Sequence, residues 1–367
     1  MSSPSSMTGR ERLRCILSRR PADRLAWTTL LDGNSLALFP ENLRGNGGVD
    51  FYKFLGCDIF LLNNWGVKAP LRSPQLNWAP DVRVTSTREG NRYAVKWETP
   101  RGSLNALYEK SHPLKYAVDS IEAVHVFRRM WEGASYTAVD DTASVGELNR
   151  LIGDDGVFTR FWGPSTIPRL LEENMGAQHF YYHMADHPAE MDGLIRTMHE
   201  KDLQAFDLVA AGPWESATLV ENTSTYYISP QIYRDYNMPH QRDFVERVKR
   251  AGKTAILHMC GHVKNLLPLI RETGCDGIHA LTQPPTGDCP WETALDALGD
   301  NLVIFGCLDP TIFAAGPVEE IGPALDRLIM PRLRESPFVL APFADGIPVP
   351  MERFLAVRDW VREHAVR

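Results

Sequence analysis

Cysteine is scarce in this chain. Cys15, Cys57, Cys260, Cys275, Cys289 and Cys307 are spread over 367 residues. Thiols at that density do not make a disulfide framework, and a reducing, cytoplasmic compartment is the expectation. The stretch Met1-Ser-Ser-Pro-Ser-Ser-Met7 is polar and does not read as an apolar leader. No window holds the roughly 18 uninterrupted apolar residues of a membrane span. No block of Lys and Arg offsets the formal net charge of -7, so broad nucleic-acid binding is not expected. No Gly-x-Gly-x-x-Gly follows a strand-like run, which argues against a dinucleotide fold.

What remains is a chain with 44% hydrophobic and 23% charged residues, enough for one large barrel or two ordinary domains. Met7 to Arg20 has helical spacing, with Thr8 and Glu11 placed as a capping box. Strands are predicted at Leu25–Leu31 and Cys57–Leu62. Residues 66–118 differ, because short alternating runs such as Arg92-Tyr-Ala-Val-Lys-Trp97 are separated by Gly and Pro. They read as antiparallel hairpins inserted into the main fold. From residue 120 helical and strand-like runs alternate, with strands at 157–162, 217–221, 254–259, 276–281, 302–306 and 338–342. Repeated strand–helix units imply a parallel sheet, and their number and length favour an α/β fold of the (β/α)8 barrel type. One barrel domain over 1–367, carrying the 66–118 insertion, is the expectation.

In such a barrel the carboxyl ends of the strands open onto the active site. Thr254-Ala-Ile-Leu-His-Met-Cys-Gly-His262 therefore carries the most information. An apolar run leads into His258 and Cys260, and residues at i and i+2 of an extended chain point the same way. Imidazole nitrogen and thiolate sulfur are zinc ligand types. A third protein ligand is required. Cys307, taken as the end of the eighth strand, is the first choice, with Glu221 and Asp345 as competitors. His262 and His279 also stand at strand ends, as do Asp32, Asn64 and Trp162. Trp65, Trp162, Tyr226 and Tyr227 could make an apolar pocket at the mouth. His179, His183 and His187 have i, i+4, i+8 spacing and read as a solvated helix face.

Taken together, these runs resemble the uroporphyrinogen decarboxylase superfamily over nearly the whole chain. The resemblance rests on Met7-Thr-Gly-Arg-Glu-Arg-Leu13, Pro21-Ala-Asp-Arg-Leu-Ala-Trp27, Glu221-Asn-Thr-Ser-Thr225 and Ile228-Ser-Pro-Gln-Ile-Tyr-Arg-Asp-Tyr-Asn-Met-Pro239. Further marks are His258-Met-Cys-Gly261, Leu281-Thr-Gln-Pro-Pro-Thr-Gly-Asp288 and Gly306-Cys-Leu-Asp-Pro310. The decarboxylases of that superfamily carry an Arg-Gln-Ala-Gly-Arg run after the first strand. Here the segment is Thr28-Thr-Leu-Leu-Asp-Gly-Asn34, without arginine. The methyltransferase branch carries His-x-Cys at the sixth strand, as His258 and Cys260 do. Its last ligand usually comes from a Gly-Cys-Gly, where this chain has Pro342-Phe-Ala-Asp-Gly-Ile-Pro348.

The resemblance implies a zinc-dependent methyltransferase working with a corrinoid carried by a partner protein, and a homodimer is common in that family. The methyl would pass between a small donor, such as a methyl ether, or a thiol and the corrinoid. His258, Cys260 and Cys307 are the expected metal ligands. Glu221, His262 or His279 would handle the proton. Asp32, Asn64, Trp162, Tyr226 and Asp345 would line the substrate site. A metal-free decarboxylase or lyase and a non-catalytic tetrapyrrole- or corrinoid-binding barrel are the alternatives.

Overall fold

The computed structural model describes residues 7–62, 70–110, 112–342 and 346–364. In chain order its strands are β1 (Ala26–Trp27), β2 (Ile59–Leu62), β3 (Gln75–Asn77), β4 (Arg83–Glu89), β5 (Arg92–Thr99), β6 (Gly102–Glu109) and β7 (His112–Lys115). There follow β8 (Ser135–Thr137), β9 (Gly156–Trp162), β10 (Ser216–Val220), β11 (Thr254–His258), β12 (Gly277–Thr282), β13 (Val303–Cys307) and β14 (Phe338–Leu340). Eight of them form one sheet in the order β1-β14-β13-β12-β11-β10-β9-β2. Every ladder in it is parallel. The sheet curls until its end strands meet: Asp58 N–H donates to the Trp27 carbonyl at 2.8 Å, and Phe60 N–H to Thr28 Oγ1 at 3.2 Å. This is the expected (β/α)8 barrel.

The strands alternate between two apolar layers, as a pleated chain must. Phe60, Leu62, Val157, Ile256, Val303, Phe305 and Val339 face the barrel axis. Ala217, Leu219, Leu257, Ile278, Ile304 and Leu340 face the surrounding helices. Leu13, Ile16 and Leu17 of the first helix, Gly9–Leu17, join the axial layer and close the end where the strands begin. That helix starts where its sequence says. Thr8 Oγ1 accepts from Glu11 N–H at 3.2 Å, and Glu11 Oε2 accepts from Thr8 N–H at 2.8 Å. Its Arg12, only 3% exposed, pairs with Asp23 and with Asp58 beneath β2. Full burial of Leu13 and Ile16 is worth roughly 1.5–3 kcal/mol each.

The hairpin reading of the insertion matches a four-stranded antiparallel sheet, β4-β5-β6-β7. Leu104 and Ala106 on its covered side are buried, and β6 lies on the helix Ile121–Gly133. A small antiparallel ladder of β3 and β8 was not expected, since neither has a long apolar run. Counted along the barrel ladder, His258 ends the fifth strand, His279 lies on the sixth and Cys307 ends the seventh. Each is one position earlier than the sequence reading placed it.

Candidate active site at the barrel mouth

His258 continues the axial face begun by Ile256, while Ala255 and Leu257 face outward. In the parallel register His258 stands beside His279 of β12, which stands beside Phe305 of β13. The two imidazoles meet Nδ1 to Nδ1 at 2.8 Å. Phe161 lies edge-on to His258 at 5.2 Å, and Phe60 and Phe305 flank His279 at 6.1 and 5.3 Å. Both rings are therefore buried, His258 7% and His279 4% exposed. Burial in this aromatic cup pulls the His258 imidazole down to about 4. His279 is held well below its ordinary value by burial and by its neighbour His258. Both are thus neutral at pH 7, with ring nitrogens free of excess proton.

One step nearer the mouth stand two thiols. Cys260 stands two residues past His258, just beyond the end of β11. Its thiol lies 3.5 Å from Asn222 Oδ1. Cys307 ends β13 on the axial side and is 1% exposed. Burial pushes its thiol up, and charge on Cys260 pushes it further. Between the two strands, β12 slips register after His279. Ala280 is the extra residue, at φ 69°, a left-handed conformation that non-glycine residues rarely hold. The bulge keeps Leu281 in the outer layer and puts Thr282 in register with Cys307. Strain of this kind collects at functional sites.

Other predicted site residues are placed apart from this group. Glu221 is fully buried, but its Oε2 accepts from Gln241 Nε2 at 2.6 Å. Gln241 belongs to the outer helix Met238–Arg250, so the carboxyl lies between strand and helix. Burial, against the hydrogen bonds of its neighbours, lifts it to about 7. Trp162 also faces outward. Its ring packs on Phe206 at 5.4 Å with the Arg169 guanidinium over it at 5.9 Å. Asp32 Oδ1 caps the short helix Gly33–Ala37 through Ser35 N–H at 2.7 Å, while Oδ2 accepts from Gly346 N–H at 3.2 Å. That carboxylate holds two loops together. Asn64, Trp65 and Asp345 lie outside the described residues. Tyr226 and His262 form a second pair at the mouth, with ring centroids 4.0 Å apart. Tyr226 is 80% exposed. His179, His183 and His187 stack along the helix Gly176–Asp186 and its end, at 6.3 and 6.1 Å.

Sequence reasoning missed Phe60, Phe161 and Phe305, which read as core strand. It also missed Glu172, in the π-helical segment Leu170–Asn174. Its Oε2 accepts from Asn222 Nδ2 at 3.2 Å. No motif surrounds it, and no spacing could have found it.

A parallel eight-stranded barrel with neutral imidazoles and thiols at its carboxyl end is the class defined by fold and site. Within that class, the uroporphyrinogen decarboxylase (URO-D) family profile matches residues 162–364, more than half of the chain. The chain belongs to this family. It is 27% identical over 117 residues to the methylcobamide:CoM methyltransferase MtbA of Methanosarcina acetivorans. It is 26% identical over 117 residues to the protein of the same name from Methanosarcina mazei. Each match covers 31% of this chain, and the chain spans only 33% of each relative. A solved methyltransferase from Methanosarcina mazei shares the fold over 98% of this chain and 99% of its own, with a TM-score of 0.57 at 13% identity.

Proposed function

We propose that this chain is a zinc-dependent methyltransferase that moves a methyl group between a small methylated substrate, or a thiol, and the corrinoid of a partner protein. The observation that carries the reading is the axial stack itself, neutral His258 and His279 below the thiols of Cys260 and Cys307. These donors fit zinc in kind, being unprotonated imidazole nitrogen and thiol sulfur that gives up its proton on binding. Among the described residues no three His, Cys, Asp or Glu side chains converge on one point. Asp345, a competing ligand, lies outside them. His258, Cys260 and Cys307 would hold the ion by drawing closer together than they stand here, with His279 fixing the His258 ring by hydrogen bond. Bound there, zinc supplies Lewis acidity to the heteroatom that gives up or takes the methyl.

The protein's own residues do the rest. The aromatic cup of Phe60, Phe161 and Phe305 keeps water from the imidazoles. A nearly water-free floor strengthens every charge interaction above it. The kinship with proteins named methylcobamide:CoM methyltransferase supports the corrinoid as partner.

The test is metal content of the purified protein beside a His258→Ala/Cys260→Ala double variant. About one zinc per chain, lost in the variant, is expected for a single site. No metal in either folded protein would turn the reading toward a metal-free lyase or decarboxylase of the same family. Appearance of methylcobalamin from cob(I)alamin and a methyl ether, followed by its absorbance, checks the reaction.

A further inference from the structure

Methyl transfer from an ether leaves an alkoxide that needs a proton. His258 and His279 are kept unprotonated by burial. Glu221 sits behind the strands, tied to Gln241. Glu172 is placed otherwise. It lies on the π-helical segment Leu170–Asn174 that continues the first helix after β9, on the side where strands end, and is only partly covered. Asn222, which follows β10, bridges it to the metal-ligand strand: Nδ2 donates to Glu172 Oε2 at 3.2 Å, and Oδ1 lies 3.5 Å from Cys260 Sγ. Asn222 holds φ 37°, a left-handed backbone that aims its amide at both groups.

We propose that Glu172 is the acid–base residue of methyl transfer, exchanging its proton with the heteroatom that carries the methyl, and that Asn222 positions it beside Cys260. This rests on the corrinoid methyltransferase reading. In the donor direction the O–CH3 bond breaks with its electron pair staying on oxygen. The Co–C bond forms from the electron pair of Co(I). The proton passes from Glu172 to oxygen, and solvent returns one to the partly covered carboxylate. In the thiol direction the same carboxylate takes the S–H proton.

The groups facing Glu172 suit that task. Burial lifts its carboxyl to about 7, the Asn222 bond opposes the rise, and Glu173 adds to it. Tyr116, at the end of the insertion, and Tyr227, from the loop after β10, lie near enough to feel its charge. A carboxyl near 7 gives and takes protons with little loss in either direction at neutral pH.

The experiment is single-turnover methyl transfer from two aryl ethers, anisole and 4-nitroanisole, to free cob(I)alamin. Wild type is compared with Glu172→Gln, zinc content and thermal midpoint being checked in both. Glu172→Gln is expected to slow anisole by about 10²–10⁴-fold, while the nitro ether, whose leaving phenoxide needs no proton, changes by only a few fold. The decline in wild-type rate as pH rises through about 7 should vanish in the variant. Equal losses on both ethers, or an unchanged pH limb, would overturn the role while leaving the methyltransferase reading intact. No transfer by wild type from either ether, nor from methylcobalamin to a thiol, would overturn the reading and the role together.

Discussion

His258 and His279 are joined Nδ1 to Nδ1 at 2.8 Å across neighbouring parallel strands. Such a bond needs one ring to carry hydrogen on Nδ1 and the other on Nε2. Both rings are then neutral but in opposite tautomers. Only the ring with hydrogen on Nδ1 keeps a free Nε2 lone pair for a metal, and its orientation is already fixed by its neighbour.

If zinc is held as proposed, its affinity should rise steeply with pH for the sake of the thiols alone. The imidazoles are already deprotonated near neutral pH, with His258 at about 4. The Cys307 thiol is pushed well up by burial, so it must lose a proton when it binds metal. With Cys260 and Cys307 both as ligands, about two protons leave per zinc. Titration calorimetry in buffers of different ionisation enthalpy reads that number. A proton count near zero would remove the thiols from the ligand set.

The buried pair Arg169–Asp202 should be costly to break. Asp202 is fully buried, its Oδ1 3.0 Å from Arg169 Nη1 and its Oδ2 2.8 Å from Thr166 Oγ1. Asp202→Ala leaves a buried guanidinium without its anion and is expected to cost about 3–5 kcal/mol. Urea unfolding measures it. A loss of less than about 1 kcal/mol would mean that solvent reaches Arg169 after all.

Glu221 should make the protein less stable as pH rises. Its carboxyl moves from an ordinary 4.5 to about 7 in the fold. The native state then holds a proton that the unfolded chain releases, so the stability it contributes is full below 4.5 and lost as pH climbs to about 7. The whole swing is about 3 kcal/mol. Glu221→Gln should flatten this part of the curve and gain on wild type at pH 8 relative to pH 5. Thermal melts across that range test it. An unchanged slope would place the burden elsewhere.

The bulge at Ala280 should tolerate glycine and reject branching. Its φ of 69° costs an L-residue roughly 1–2 kcal/mol, which glycine does not incur. Ala280→Gly should keep or slightly raise the thermal midpoint, since relief offsets lost chain stiffness. Ala280→Val, stiff at its branch, should lower stability and loosen zinc binding by moving His279. A stable Ala280→Val variant with normal metal affinity would show that the register slip is not needed to aim His279.

Much of this was legible in the chain. The eight barrel strands came from runs such as Cys57–Leu62 and Leu302–Gly306, whose apolar content and spacing leave few other folds. His258 and Cys260 came from chemistry at a strand end, two residues apart. What could not be read was facing. A parallel strand is buried on both sides, so Gly156–Trp162 shows no alternation that separates axial Phe161 from outward Trp162. For the same reason Glu221 was counted with the mouth, although its place in the pleat sends it to Gln241.

The sequence by itself determined the local matters: the capped first helix, the count of parallel strands, the hairpin insertion, and imidazole and thiol two residues apart at a strand end. These follow from neighbours along the chain, through period, cap and pleat. Only the tertiary structure decided which strands adjoin. It set His279 against His258, Cys307 within reach of Cys260's charge, and Glu172 beside Asn222 from 50 residues away. Those pairings come from closing the sheet into a barrel, a condition on all eight strands at once that no single segment carries.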